Sequence, residues 1–221
     1  MKIHCIGDSH VSVFTGLEEI KTHPEYPNRY DDQYELFSSY RLGPLTAYNS
    51  FKIKSDIIKI INLFIKPEDY ILLSFGEIDC RLHILKQVEK QNISIEQAVD
   101  ICTNRYLDLI KDLRKEHDKI IIYLPPASTA DFIENDEYGT LGDTNTRNRV
   151  TKYFEDNIKT KCKDVSFLSI YKYLIDEVNN TNMVYYEDQI HLSPLKVKDF
   201  IIKELNENGI WHGKDFNKIS N

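Results

Sequence analysis

The chain has 221 residues, of which 41% are hydrophobic and 29% are charged, a composition typical of globular proteins rather than disordered or fibrous ones. This length predicts a single domain spanning residues 1–221. The formal net charge of −7 argues against a nucleic-acid partner, because neutralising phosphates favours a basic protein face.

The cysteines and the apolar runs exclude several other classes of protein. Cys5, Cys80, Cys102 and Cys162 are widely spaced and include no C-x-x-C pair, so the pattern predicts buried free thiols rather than a zinc site or a disulfide framework. No apolar run is long enough to span a bilayer. Residues 1–6 leave no room for a secretory signal before the first motif, and we therefore expect cytoplasmic residence.

Short apolar runs in the first half of the chain predict three strands. Residues 2–6 form a run that stops at Gly7, and residues 34–42 mix aromatic and polar side chains before Gly43. Residues 70–75 form a continuous apolar run, as expected of a strand buried on both faces of a parallel sheet.

Helical periodicity appears between and after these runs. Residues 50–65 have apolar side chains at helical spacing, and Pro67 closes that helix. Ser94 is predicted to cap a second helix, with Glu96 and Gln97 in its first turn. The remaining predicted elements are a strand at 119–124, a polar surface insertion at 127–144, a helix at 145–162, a strand at 165–170 and a helix at 194–208.

The alternation of strands and helices predicts an α/β fold. We expect three layers, α/β/α and flavodoxin-like, around a five-stranded, mostly parallel sheet. Functional groups gather beyond the carboxyl ends of the strands in such sheets. Three motifs fall at predicted strand ends: Gly7-Asp8-Ser9, Gly76-Glu77-Ile78-Asp79 and Asp188-Gln189-Ile190-His191.

In this order the motifs resemble the SGNH (GDSL-type) hydrolase family. Its hallmarks are GDS near the N-terminus, an oxyanion glycine after strand two, G-x-N-D after strand three and D-x-x-H near the C-terminus. The resemblance covers nearly the whole chain and implies a catalytic triad of Ser9, His191 and Asp188. A serine hydroxyl is a poor nucleophile until an imidazole accepts its proton, and a third group must orient that imidazole. The alternatives are that Ser9 only caps the first helix and that His191 only caps the last one.

The resemblance also implies an oxyanion hole. Its donors would be the backbone N–H groups of Ser9 and Gly43 and a side-chain amide in the third block. The sequence departs from the family there, because GEID replaces G-x-N-D and Ile78 stands where asparagine is expected. Either two donors suffice or another residue supplies the third. For Gly43 the alternative is that a glycine is needed only for a positive φ.

Arg81, Asn49 and His83 are the candidates for the missing donor. Arg81 is preferred, because a fixed cation would stabilise the developing negative charge. The alternative is that Arg81 pairs with Glu77 or Asp79 and holds the loop.

Other polar residues near the motifs suggest binding rather than cofactor chemistry. His10 follows the nucleophile and is expected to contact substrate or to pack. Glu77 and Asp79 are candidate substrate-binding carboxylates or members of loop salt bridges. A metal site made of His10, His83 and His191 has no supporting ligand spacing, so no metal is expected. Without a phosphate-binding glycine loop, no cofactor is expected either.

The function implied by the resemblance is a serine-dependent acyl-ester hydrolase. It would remove O-acetyl or another short acyl group from a carbohydrate or glycoconjugate through a seryl intermediate. The preference for a saccharide ester rests on the polar, aromatic-bearing segments 26–34 and 127–143. The alternatives are a carbohydrate O-acetyltransferase, a catalytically impaired sugar-binding SGNH-like protein, and a flavodoxin-like binding or signalling domain with a coincidental GDS. The sequence contains no signal for an oligomeric state.

Overall fold

Five parallel strands form one sheet. In the computed structural model, which describes residues 1–17, 32–131 and 139–217, the strands are β1 (Ile3–Gly7), β2 (Phe37–Arg41), β3 (Tyr70–Ser74), β4 (Ile120–Tyr123) and β5 (Ser166–Leu168). Their order across the sheet is β2-β1-β3-β4-β5, and every neighbouring pair is parallel. The predicted α/β fold with a five-stranded sheet is confirmed.

The strands are apolar because helices cover both faces of the sheet. On β3, Ile71 and Leu73 belong to one hydrophobic cluster, and Leu72 belongs to the cluster on the opposite face. Residues of α1 (Lys54–Phe64), α2 (Ile84–Gln91), α3 (Ile95–Leu113) and α4 (Thr144–Lys161) enter the first cluster, and those of α5 (Pro194–Glu207) enter the second. The predicted three layers are confirmed.

Capping residues set where the helices begin. Ser94 caps α3, since its Oγ accepts the Gln97 N–H at 3.2 Å and its own N–H donates to the Gln97 side chain at 3.0 Å. The predicted helix at 50–65 is instead a 3-10 helix, Ala47–Ile53, followed by α1. Thr46 caps that 3-10 helix by accepting the Asn49 N–H at 3.1 Å, so helical structure begins earlier than expected.

Two predicted strands are shorter in the structure, and one helical element was not predicted. The second strand covers only Phe37–Arg41, because the Phe37 N–H donates to the Tyr34 carbonyl and closes a turn before it. The fifth strand covers only Ser166–Leu168, and a 3-10 helix follows at Tyr171–Tyr173. A π-helix at Asp79–His83, which the sequence did not indicate, leads into α2.

The predicted surface insertion at 127–144 is wrong at its first residues. Ala127, Ser128 and Thr129 are buried. The fully buried Arg147 holds them, since its Nε donates to Ser128 Oγ at 3.0 Å and its Nη2 donates to the Thr129 carbonyl at 2.7 Å. Tyr186 donates its hydroxyl to the Ala127 carbonyl. These bonds turn the segment inward, and residues 132–138 lie outside the described residues.

The cysteines carry free thiols, three of them buried and Cys162 half-buried. Within the described ranges, no helix combines the length and apolar character needed to cross a membrane.

Candidate active site

The backbone at the end of β1 places Ser9 beside the neighbouring strand. A Cβ on Gly7 would lie 2.1 Å from the Ser74 carbonyl oxygen, a distance that no side chain tolerates. The next residue continues the pairing, since the Asp8 N–H donates to that carbonyl at 3.1 Å. Ser9 then begins a 3-10 helix, Ser9–Phe14. The cap of this helix is Asp8, whose Oδ1 accepts the His10 N–H at 2.9 Å, so the expectation that Ser9 caps it is wrong.

Ser9, His191 and Asp188 form a continuous hydrogen-bonded chain. His191 Nε2 lies 2.7 Å from Ser9 Oγ, and His191 Nδ1 lies 2.7 Å from Asp188 Oδ2. The carboxylate can only accept, so Nδ1 carries the proton and Nε2 is left to accept from the serine hydroxyl. The cap position of α5 is Ser193, followed by Pro194, so the alternative in which His191 caps that helix is wrong.

A tight turn fixes the carboxylate of this chain. Asp188 Oδ1 accepts the backbone N–H groups of Ile190 at 2.8 Å and His191 at 2.7 Å. Burial alone would raise the pKa of Asp188, but the bonds from His191 and the two backbone groups lower it to about 2. Burial lowers the pKa of His191, Asp188 opposes that shift, and His10 adds to it. The imidazole is thus held as a neutral base beside an ionised carboxylate.

Two backbone donors lie at adjacent strand ends. Gly43 follows β2, the neighbour of β1, and adopts a φ of 111°, a conformation that favours glycine. The Leu42 N–H donates to the Gly7 carbonyl at 2.8 Å, which ties the two strand ends together. No described residue accepts a hydrogen bond from the backbone N–H of Ser9 or of Gly43. Both the conformational interpretation of Gly43 and a donor role are compatible with this geometry.

Arg81 belongs to a buried ion pair. Its Nε donates to Glu77 Oε1 at 2.7 Å, four residues earlier, and its Nη1 donates to the Gly139 carbonyl. Arg81 lies in the π-helix Asp79–His83 and is buried there. Glu77 also accepts from His10 Nε2 at 3.1 Å. The structure therefore favours the salt-bridge alternative over the preferred role of Arg81 as the missing oxyanion donor.

Asp79 anchors the segment after Gly43. Its Oδ2 accepts the Ala47 N–H at 2.6 Å, and its Oδ1 accepts from the Tyr48 N–H at 3.4 Å and from Cys102 Sγ at 3.3 Å. The carboxyl group is fully buried, and burial raises its pKa to about 7 despite these bonds. Both oxygens of Asp79 thus bind groups of the protein itself, which argues against a role as a substrate-binding carboxylate.

A cavity of about 320 Å³ lies beside this anchored segment. The other two candidates for the missing donor, Asn49 and His83, line it together with Asp79, whereas Ser9 does not. Asn49 Nδ2 donates to Thr46 Oγ1 at 3.1 Å. The cavity walls combine amide, aromatic and aliphatic side chains: Tyr48, Ile84, Gln87, Gln91, Ala98 and Ile101.

The bond between His10 and Glu77 was not predicted from the sequence. The two residues are 67 positions apart, and only the pairing of β1 with β3 brings their loops together. The i, i+4 spacing of Glu77 and Arg81, in contrast, is a readable signal for a helical ion pair. In the described part of the chain, no group of three or more His, Cys, Asp or Glu side chains could hold a metal ion, so the structure gathers no metal site around His10, His83 and His191.

Comparison with known proteins gives a result at the level of fold. No family model matches the sequence, and no curated protein matches it. A catalytic mutant of an acetylxylan esterase from Geobacillus stearothermophilus superposes with a TM-score of 0.56 at 12% identity, covering 95% of this chain and 94% of that one. A GDSL-like lipase from Bacteroides thetaiotaomicron gives 0.57 at 15% identity over 94% and 88% of the two chains.

The chain has the fold of the GDSL hydrolases. A member of the lipolytic protein G-D-S-L family from Veillonella parvula extends the agreement, with a TM-score of 0.54 at 14% identity over 94% of this chain and 97% of that one. The resemblance inferred from the motifs is confirmed for the fold. Within that GDSL fold, His10 stands where the family name has leucine.

Proposed function

We propose that the protein is a serine-dependent acyl-ester hydrolase that removes O-acetyl or another short acyl group from a carbohydrate or glycoconjugate. The chain of hydrogen bonds from Ser9 through His191 to Asp188 is the observation that supports this best. An unactivated serine would need neither a buried imidazole at 2.7 Å nor a carboxylate that fixes its tautomer.

The geometry supports a two-step acyl transfer. Ser9 Oγ attacks the ester carbonyl carbon while His191 Nε2 accepts the hydroxyl proton, and the C–O bond to the alcohol then breaks as His191 returns that proton to the leaving oxygen. Water repeats the cycle on the seryl ester and releases the acid. Asp188 stabilises the imidazolium in both steps. The backbone N–H groups of Ser9 and Gly43 would stabilise the oxyanion.

Two observations support a saccharide ester as the substrate class. One neighbour in fold is named as an acetylxylan esterase. The cavity beside the segment after Gly43 is not lined by Ser9, but it would offer sugar rings beyond the ester an aromatic ring and amides at Tyr48, Asn49, Gln87 and Gln91. Amide and hydroxyl groups in a concave site orient a polyhydroxylated ligand by hydrogen bonds. Residues 18–31 and 132–138, which include most of segment 26–34 and part of segment 127–143, lie outside the described residues.

Replacing the nucleophile tests the proposal. We expect Ser9→Ala to lower kcat for p-nitrophenyl acetate by more than about 10³-fold, because no hydroxyl remains for acyl transfer. The exposed Ser55→Ala is the matched control and should retain full activity. A fluorophosphonate probe should label the unaltered protein and not the Ser9 variant. Full activity in Ser9→Ala, or an unlabelled and inactive parent protein, would contradict the proposal.

The substrate class has its own measurement. Acetate release from an acetylated xylo-oligosaccharide should exceed hydrolysis of a p-nitrophenyl ester with a long acyl chain. The same reaction run with an unacetylated saccharide as acceptor separates hydrolysis from transfer, since a transferase would form a new sugar ester instead of free acetate.

A further inference from the structure

A buried chain of charges lies behind the general base. Arg81 Nε donates to Glu77 Oε1 at 2.7 Å, and His10 Nε2 lies 3.1 Å from Glu77 Oε2. The three side chains are each no more than 6% exposed. Two basic groups therefore share one carboxylate in a region that water hardly reaches, and removing that carboxylate would leave both basic groups without their buried counter-charge.

The ring of His10, which lies at one end of this group of charges, packs against the ring of His191. The ring centroids of His10 and His191 are 5.0 Å apart with an interplanar angle of 33°. His10 Nδ1 makes no hydrogen bond to any described residue, so Glu77 alone fixes the ring through Nε2. The catalytic imidazole thus has Ser9 and Asp188 on its two nitrogens and His10 against its ring.

The surrounding charges favour the protonated form of His10. Burial lowers the pKa of His10, but the carboxylates of Glu77 and Asp8 outweigh burial and Arg81, and the net shift is upward. The pKa of Glu77 falls to about 2 although burial opposes it, because His10 and Arg81 stabilise its charge. Burial raises the pKa of Asp8 to about 6. Below that pH Asp8 becomes neutral, and it then no longer offsets the charges of His10 and Arg81.

The contact between His10 and Glu77 joins two segments that depart from the GDSL pattern. His10 replaces the leucine of G-D-S-L, and its partner Glu77 belongs to the same block in which Ile78 replaces asparagine. We infer that His10 is a positioning residue for the proposed general base: fixed by Glu77, it holds the ring of His191 in place and keeps a positive charge next to it. His191 then stays neutral, and able to accept the Ser9 proton, at more acidic pH than it would beside leucine.

The groups that face the two rings set the sign of this effect. Asp8, Glu77 and Arg81 face His10, and Asp188, Glu77 and His10 face His191. The two carboxylates favour the imidazolium form of His191, and His10 is the one group among these three that disfavours it. Removing the charge of His10 should therefore make His191 easier to protonate.

NMR titration of the histidine side chains tests the inference. In His10→Gln, which can still donate to Glu77 without a charge, we expect the titration midpoint of His191 to rise by about 1 pH unit, the scale of a neighbouring charge. The acid limb of kcat/KM should rise equally, because that limb reports the base of the free enzyme. His212→Gln, at an exposed histidine, is the control and should shift neither.

The inference rests on the proposed function only for its catalytic consequence, and the NMR measurement needs no turnover. An unchanged midpoint of His191 in His10→Gln overturns the inference even if the esterase activity is real. A shifted midpoint in a protein without esterase activity overturns the proposed function alone. If His10→Gln does not fold, the unaltered protein still decides: His10 should keep its proton at the pH where His191 loses its own, and the reverse order refutes the inference.

Discussion

At the scale of single residues, the close approach of two backbones positions Ser9, the proposed nucleophile. Gly7 lies against the Ser74 carbonyl, and this contact lets Asp8 pair with the same carbonyl and turn the chain at Ser9. The carboxyl end of β1 is therefore fixed by a residue without a side chain. The sequence motif contains this glycine, but the motif alone does not show that its role is steric.

We expect Gly7→Ala to destabilise the protein by at least about 2 kcal/mol, since the added methyl group meets backbone rather than a movable side chain. The control is Gly209→Ala, at a φ of 65° with no atom within 4 Å of the added Cβ. That change should cost only about 1 kcal/mol of backbone strain. Urea unfolding measures both free energies. Equal losses in the two variants would show that the approach to Ser74 is not what requires glycine.

Residue types and order predicted that Ser9, His191 and Asp188 lie together, whereas the surroundings of His191 were beyond sequence reasoning. Asp188 and His191 lie three positions apart, so one short turn specifies their contact. His10 and Glu77 are joined only by the pairing of β1 with β3, and their distance depends on the finished sheet. Arg81 illustrates the same limit, because its choice between Glu77 and the oxyanion depends on a π-helix that no pattern indicated.

At the scale of elements, one carboxylate connects three of them. Asp79, at the start of the π-helix, accepts from the first residues of the 3-10 helix Ala47–Ile53 and from Cys102 on α3. The segment after Gly43 is thereby held against the Gly76-Glu77-Ile78-Asp79 motif. Helical periodicity predicted α1 but not this 3-10 helix, because the 3-10 helix depends on a cap by Thr46 and on a distant acceptor.

Asp79→Asn should show a pH-dependent loss of stability. Because the pKa of Asp79 is raised to about 7 in the folded protein, its stabilising contribution is complete below the pKa of the unfolded chain, about 4, and declines as the pH rises towards 7. The unaltered protein should therefore exceed the variant in free energy of unfolding most strongly near pH 4, and the difference should narrow by pH 7.

Urea unfolding of both proteins at several pH values measures that difference, with the exposed Asp164→Asn as the control. A gap that widens with rising pH would contradict the assignment of Asp79 as a buried, easily protonated group. The proposed esterase activity should also fall in Asp79→Asn, since the segment after Gly43 loses the carboxylate that accepts the Ala47 N–H.

At the scale of the whole molecule, one sheet serves both hydrophobic clusters. β1, β3 and β4 contribute side chains to each face, so neither helical layer has a core of its own. The alternation of apolar runs with helical segments predicted this architecture well. Strands buried on both faces are continuous apolar runs, whereas strands exposed on one face alternate apolar and polar residues. That residues 1–221 form a single domain stays a prediction, and the cooperativity of unfolding tests it.

Thermal unfolding should occur in one transition. Trp211, the only tryptophan, is buried in the cluster on the α5 face, whereas far-UV circular dichroism is dominated by the longer helices on the opposite face. The fluorescence and dichroism curves should coincide, because the shared sheet couples the two layers. Separate midpoints would indicate layers that unfold independently.

The position of β1 has a consequence for synthesis on the ribosome. This strand is translated before the other four, yet it lies between β2 and β3, and the serine that follows it meets a histidine 182 positions later in the chain. The segment after α5 is also required, since the Leu36 N–H donates to the Phe216 carbonyl just before β2. Ser9 of a nascent chain thus has no imidazole beside it until His191 has been translated, and the proposed chemistry cannot begin before then.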